Sequence, residues 1–245
     1  MMETSHNKWR IDTIRSIVFF NKKIEFKKNE WSKLLTGKDQ VRTFNPPASE
    51  QQYVEMTALD NNQQLNLIHV EDKNIIDLHL VCNKNNMLYD FDEILSKLNE
   101  FYELLDKFNP NINTEGVIRI GHVIELSIPV EDEVQGCDIL KENFSYLSGF
   151  SDGLEEINLR INKPTMNENI KINRVIRFSN AQKVMVNISK GASTPTANIE
   201  KNITVNIDVN TDASHKYPFD LINFSNYLKG YLKEIVSAGG NYVNK

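Results

Sequence analysis

Cysteine, proline, glycine and tryptophan are all scarce in this 245-residue chain, which holds two Cys, seven Pro, ten Gly and two Trp. Cys82 and Cys137 stand in no CxxC spacing and no secretory context. A disulfide framework and a cysteine-based zinc site are therefore unsupported, and both residues read as buried thiols. Long apolar runs are missing as well: those such as Ile17 to Phe20 fall far short of the ~18 to 20 residues needed to cross a bilayer. The opening MMETSHNKWR is polar and charged rather than signal-like. These absences predict a cytoplasmic protein without a membrane partner. No Gly-rich phosphate loop, GxSxG elbow or local Cys-His signature appears, so no cofactor and no catalytic residue is expected.

What is present is ordinary globular composition, 40% hydrophobic and 25% charged, in a chain long enough for one large or two small domains. The net charge of -5 hides an asymmetry. Residues 157–190 carry seven basic side chains against Glu168, whereas residues 131–156 carry eight acids against Lys141. Acidic helices complementing basic strands, within the fold or across an oligomer, account for it most simply.

Residues 1–10 read as a lead-in. Apolar runs at 11–20 and 23–26 around Asn21-Lys22 predict a hairpin or one bent strand. Asn29 can cap a short helix with Trp31, Leu34 and Leu35 on one side and Gly37 at its end. Residues 39–50 read as loop and 52–59 as strand. Residues 64–70 and 74–81 form a hairpin in which, if Val70 pairs with Ile75, Leu65, Leu67 and His69 lie opposite Leu80, Leu78 and Ile76. An amphipathic helix follows over 90–108, with Asp90 and Glu93 as a capping box.

Residues 116–129, GVIRIGHVIELSIP, alternate as a strand with one buried face: Ile118, Ile120, His122, Ile124, Leu126 and Ile128 against Arg119, Gly121, Val123, Glu125 and Ser127. A short helix through Leu140, Phe144 and Leu147 ends at Gly149, and strands are expected at 156–162, 170–178, 183–189 and 202–209. Residues 191–197 read as a mobile loop, and a second amphipathic helix covers 219–236, ended by Gly239-Gly240.

The same order, strand, short helix, antiparallel strands, long helix, recurs in both halves. Residues 76–80 fall on 205–209 and Phe91-Asp92 on Phe219-Asp220. The expectation is an α+β fold, internally duplicated, with two long amphipathic helices packed on a mostly antiparallel sheet: a first half over 11–113, a second over 114–240 and a tail over 241–245. Two such halves joined edge to edge would complete each other's sheets.

Metal motifs are weak. Asp12 with Glu25-Phe26-Lys27 follows a nuclease order, but the spacing is too long for one ion. The run from Asp208 to Asp212 starts like a calcium loop and then offers Ala213 and Phe219 where Gly and Glu are required. His69 and His79 point to opposite faces, and His122 reads as a satisfied core histidine. Arg174 falls in an apolar set and needs a carboxylate or carbonyl partner. The remaining basic residues, Arg119, Arg160, Lys171, Arg177 and Lys183, share non-core parities and form a candidate binding set.

Ile118-Arg119-Ile120-Gly121, an alternating strand ending in Pro129, and later Ile207-Asp208-Val209 before a terminal helix resemble a sporadically distributed family of uncharacterised bacterial proteins of similar length. That family's central strand continues from Arg-Ile-Gly with Arg, an aromatic and Asn, where this chain has His122-Val123-Ile124-Glu125. The resemblance implies a protein of patchy bacterial occurrence, as expected of antiphage-defence or mobile-element cargo, and supplies no catalytic residues. The expectation is a non-catalytic binding or accessory subunit whose partner is another protein or its own copy. Nucleic-acid binding by a basic sheet face is the first alternative and a metal-dependent enzyme such as a nuclease the second.

Overall fold

The computed structural model describes residues 8–26, 30–39, 42–44, 52–82, 87–143, 147, 149, 156–187 and 196–238. Ten strands form one sheet: β1 (Arg10–Phe20), β2 (Arg42–Phe44), β3 (Gln52–Ala58), β4 (Gln64–Val70), β5 (Ile75–Val81), β6 (Val117–Pro129), β7 (Asn158–Asn162), β8 (Thr165–Asn167), β9 (Ile170–Asn187) and β10 (Thr196–Thr211). Among the described residues four α-helices accompany them: α1 (Trp31–Thr36), α2 (Phe91–Phe108), α3 (Glu133–Asn143) and α4 (Leu221–Ala238). The fold is α+β. The sheet order is β2-β3-β4-β5-β1-β6-β10-β9-β7 with β8 also on β9, and every pairing is antiparallel.

Local sequence accounts for most of these elements. The β4–β5 hairpin turns through a 3-10 segment at Glu71–Lys73 and pairs Leu65, Leu67 and His69 with Leu80, Leu78 and Ile76. The Asp90 side chain accepts from Glu93 N–H and the Glu93 side chain accepts from Asp90 N–H, so two orphan donors at the start of α2 are satisfied. Gly37, at φ 71°, closes α1 in the left-handed region, which costs glycine nothing.

All four helices pack on one sheet face. Ile14 and Val18 of β1, Ile120 and Ile124 of β6, and Val205 and Val209 of β10 belong to it, with Leu98, Phe101 and Leu105 of α2 and Phe224, Leu228 and Leu232 of α4 above them. Each such side chain contributes roughly 1.5–3 kcal/mol through removal from water.

Several expectations are corrected. Residues 23–26 do not pair as a strand; Ile24 is buried and Phe26 stacks between Trp31 and His69, so the chain leaves the sheet to cover its helical side. Trp9 and Arg10, expected as lead-in, are buried, with Trp9 bridged to Tyr89. Glu30 rather than Asn29 precedes α1, Asn29 lying outside the described residues, and Leu34 is exposed. The loop expected over 39–50 contains β2.

The strands expected at 170–178 and 183–189 are one strand, β9, because Ser179 to Gln182 stay extended against residues 201–204 of β10. Of the loop expected at 191–197, Thr196 and Ala197 belong to β10 and the rest lies outside the described residues, as do Phe144, Gly239 and Gly240. Of the acidic stretch, α3 packs on the helical face and reaches β10 through Glu133 and Lys201, 2.8 Å apart, while Asp152 and Glu155 lie outside the described residues.

Close approach of α3 to β10 depends on Gly136, where an added Cβ would stand 2.6 Å from Ile203 Cγ2. Gly136→Val is expected to destabilise the fold by about 1–3 kcal/mol through overpacking. Gly149→Ala, with open space around the position, is expected to stay within about 0.5 kcal/mol. Urea unfolding of both variants checks the pair, and equal stabilities would contradict this packing.

Candidate binding face

Alternation fixes what the other sheet face carries, because residues paired in register point the same way. Across the sheet, Arg160 of β7 faces Arg177 of β9, which faces Asn206 of β10, which faces Glu125 of β6. One step along, Val175, Asp208, Val123, Arg15 and His79 form the next row. Among the described residues, no helix packs on this face.

The face has two characters. From β3 to β1 it keeps aliphatic and aromatic groups, among them Val54, Met56, Ile68, Ile75, Ile17 and Phe19. An antiparallel sheet with one wet face ordinarily alternates apolar inside with polar outside; here both faces hold apolar residues. From β10 to β7 it is polar. Asn162 donates to Asn173 at 3.1 Å, Asn173 to Asn210 at 3.3 Å and Asn210 to Asp208 at 2.7 Å, an amide chain running across three strands. The signal for it was present in the alternation of Asn202, Thr204, Asn206, Asp208 and Asn210 with apolar residues.

The candidate binding residues fall on this face to different degrees. Lys171 lies 3.5 Å from Asp212, and Arg177 lies 4.0 Å from Asp208. Arg119 stacks on the Phe19 ring, 4.9 Å from its centroid, with a buried Nε that has no hydrogen-bond partner. Arg160 is exposed and opposite Arg177. Lys183 pairs in register with Glu200, and its side chain lies outside the described residues. Beside Gly121 the backbone is approached from within the chain, since an added Cβ would stand 3.2 Å from Asn210 Cβ.

Sequence reasoning passed over the ion pair at the centre. Arg15 donates to both oxygens of Asp77, at 3.4 and 2.5 Å, beside His79. Burial lowers the His79 pKa, Asp77 opposes that and Arg15 adds to it. The Asp212 carboxyl is held below its ordinary range first by hydrogen bonds with Ser214, then by those from Asn173 and Lys171. Arg10, 3% exposed, donates to Ser127, Asn202 and Glu200 and ties β1 to β6 and β10.

No metal group of three or more His, Cys, Asp or Glu occurs among the described residues. Asp12 is buried, 3.3 Å from Arg10, and Glu25 is exposed, while Lys27 lies outside the described residues. Asp208 to Thr211 are strand rather than a calcium loop. An apolar gap between the sheet and α4, lined by Trp9, Leu126, Val205 and Ile235 among others, holds about 20 Å³, and one beside Glu55 about 10 Å³. Each has room for about one water, too little for an organic ligand.

Among the buried polar groups of the helical face is a histidine. His122 is fully buried with Nε2 3.3 Å from Ser225 Oγ, which accepts from Asn109 Nδ2 at 3.1 Å. It is thus only partly satisfied, since His122 Nδ1 has no partner. Arg174 finds its carbonyl, donating to Lys163 O at 2.8 Å, and lies over the Tyr231 ring. Among the described residues, no helix is long and apolar enough to cross a membrane. No family model, curated protein or solved structure matches the chain.

Burial, with a smaller contribution from Lys229, pushes the His122 pKa down to about 3 from 6.5. Folded, the imidazole stays neutral; unfolded, it takes a proton below pH 6.5. Stability from this group is therefore complete above pH 6.5 and is lost as pH falls toward 3, by about 2 kcal/mol at pH 5. His122→Leu is expected to flatten the pH 7-to-5 difference in urea unfolding by that amount; an unchanged slope would contradict the burial argument.

Proposed function

We propose that the chain is a non-catalytic binding subunit that holds another protein on the helix-free face of its sheet. The observation that carries this reading is the asymmetry of cover. Four helices shield one face of a ten-stranded sheet, and the other keeps half-buried Ile17, Phe19, Met56 and Ile68 on a surface that folding alone would have left polar. Aliphatic groups beside arginine and asparagine suit a protein interface. Nucleic acid is less well served: Asp208 and Asp212 stand beside two of the cations, and Phe19 is the aromatic that β1 and β6 offer for stacking. The resemblance of residues 118–121 to sporadic bacterial proteins extends the proposal to a defence or mobile-element setting.

We also infer that the two halves arose by duplication. Outward from the central pair, the strands run β1-β5-β4-β3 on one side and β6-β10-β9-β7 on the other, an equivalent chain order. A chain carrying the halves in reversed order through a flexible linker is expected to fold cooperatively, and failure to do so would count against equivalence.

For the binding face, Ile17→Gln with Phe19→Gln is expected to leave the fold intact and abolish partner capture from a native lysate. Val18→Gln, one residue along but under the helices, is expected to cost about 2–4 kcal/mol of stability because it buries an amide. Partner capture unaffected by the double variant would refute the reading.

A further inference from the structure

We propose that Arg160 and Arg177 form a clamp for carboxylate side chains of an acidic protein partner; the proposal rests on the helix-free face being the binding surface. The two arginines stand directly opposite each other on β7 and β9, and both are exposed. Like charges directly opposite across an antiparallel pair destabilise it, so the pair carries a cost here that the described residues offset poorly. Arg177 has Asn206 at 3.5 Å and Asp208 at the outer limit of an ion pair. Arg160 has no ion pair or hydrogen bond among the described residues. The acids of α3 lie on the other face and cannot help.

An incoming anion removes that cost. Guanidinium forks donate paired hydrogen bonds to carboxylate or phosphate, and the surroundings decide between them. Asn158 and Asn162 flank Arg160 on the same face and offer both donors and acceptors, as a peptide requires. Following the row from Arg177 through Asn206 leads to Glu125, with Asp208 alongside. A chain of phosphates laid along that path would meet carboxylates, whereas a protein surface can place one acidic group on the clamp and apolar groups on the aliphatic region beyond.

The test uses the intact chain and isothermal titration calorimetry with three probes: poly-L-glutamate, a short DNA duplex and inorganic phosphate. Polyglutamate is expected to bind most tightly, and Arg160→Gln with Arg177→Gln to weaken it by about tenfold or more, as loss of charged hydrogen bonds implies. Arg160→Gln alone is expected to raise the melting temperature at low salt, with the gain shrinking as salt screens the pair. Tighter binding of DNA or phosphate, undiminished polyglutamate binding by the double variant, no binding of polyglutamate at all, or a lowered melting temperature would each overturn the clamp. If the clamp fails while Ile17→Gln with Phe19→Gln still abolishes partner capture, the helix-free face stands without it; if both fail, the face itself is refuted.

Discussion

The pairing of β1 with β6 is the constraint on which the molecule depends. Each half, taken alone, would end in an unpaired edge of ten or more residues, a template for aggregation. Joined, the two strands run antiparallel from Arg10 against Ser127 to Phe20 against Val117, with two register shifts that accommodate the extra residues. Side chains reinforce the junction on both faces. On one, Arg10 reaches Ser127, Asn202 and Glu200; on the other, Ser225 receives Asn109 from the end of α2 and meets His122 of β6. A buried arginine and a buried histidine are costly unless partnered, so both groups favour this one register over its neighbours.

From that junction follows the one-sided architecture. The helix closing each half has only one place to bury its apolar stripe, above the strands that precede it, and the Lys229–Asp106 ion pair joins α4 to α2 there. The opposite face then becomes continuous across both halves, aliphatic over β3 to β1 and amide-rich with cations over β10 to β7. Its ion pairs, Arg15 with Asp77 and Arg177 with Asp208, lie in the plane of the surface, so its excess positive charge is local to the Arg160–Arg177 pair rather than spread along the sheet.

Much of this was legible from residue patterns. The alternation of 116–129 gave the faces of β6 from Ile120 to Ile128, although at the register shift near its start Val117 rather than Ile118 enters the core; the capping box gave the start of α2, and Val70 against Ile75 gave the hairpin register. These are local signals, set by neighbours two to four residues away. The misreadings came where tertiary pairing overrode local chemistry. Ser179 to Gln182 are small and polar enough to turn, yet β10 holds them extended; Trp9 is bridged to Tyr89, eighty residues on. The parity of Arg160, Lys171 and Arg177 could be read directly, but their partners could not, because which strand lies beside which depends on the order of the whole sheet. Gly121 shows the same limit: its space belongs to Asn210, a residue known to be adjacent only once β6 and β10 are paired.

If the central pair makes one body of two halves, its amides should open only when the whole molecule unfolds. Native-state hydrogen exchange on the intact chain measures this directly. The slowest amides should be those of β1 and β6, exchanging at the free energy of global unfolding together with the cores of β5 and β10. Exchange of β6, β10 and α4 at a distinctly lower free energy than β1, β5 and α2, or the reverse, would mean that the halves open independently and that the junction does not govern the fold.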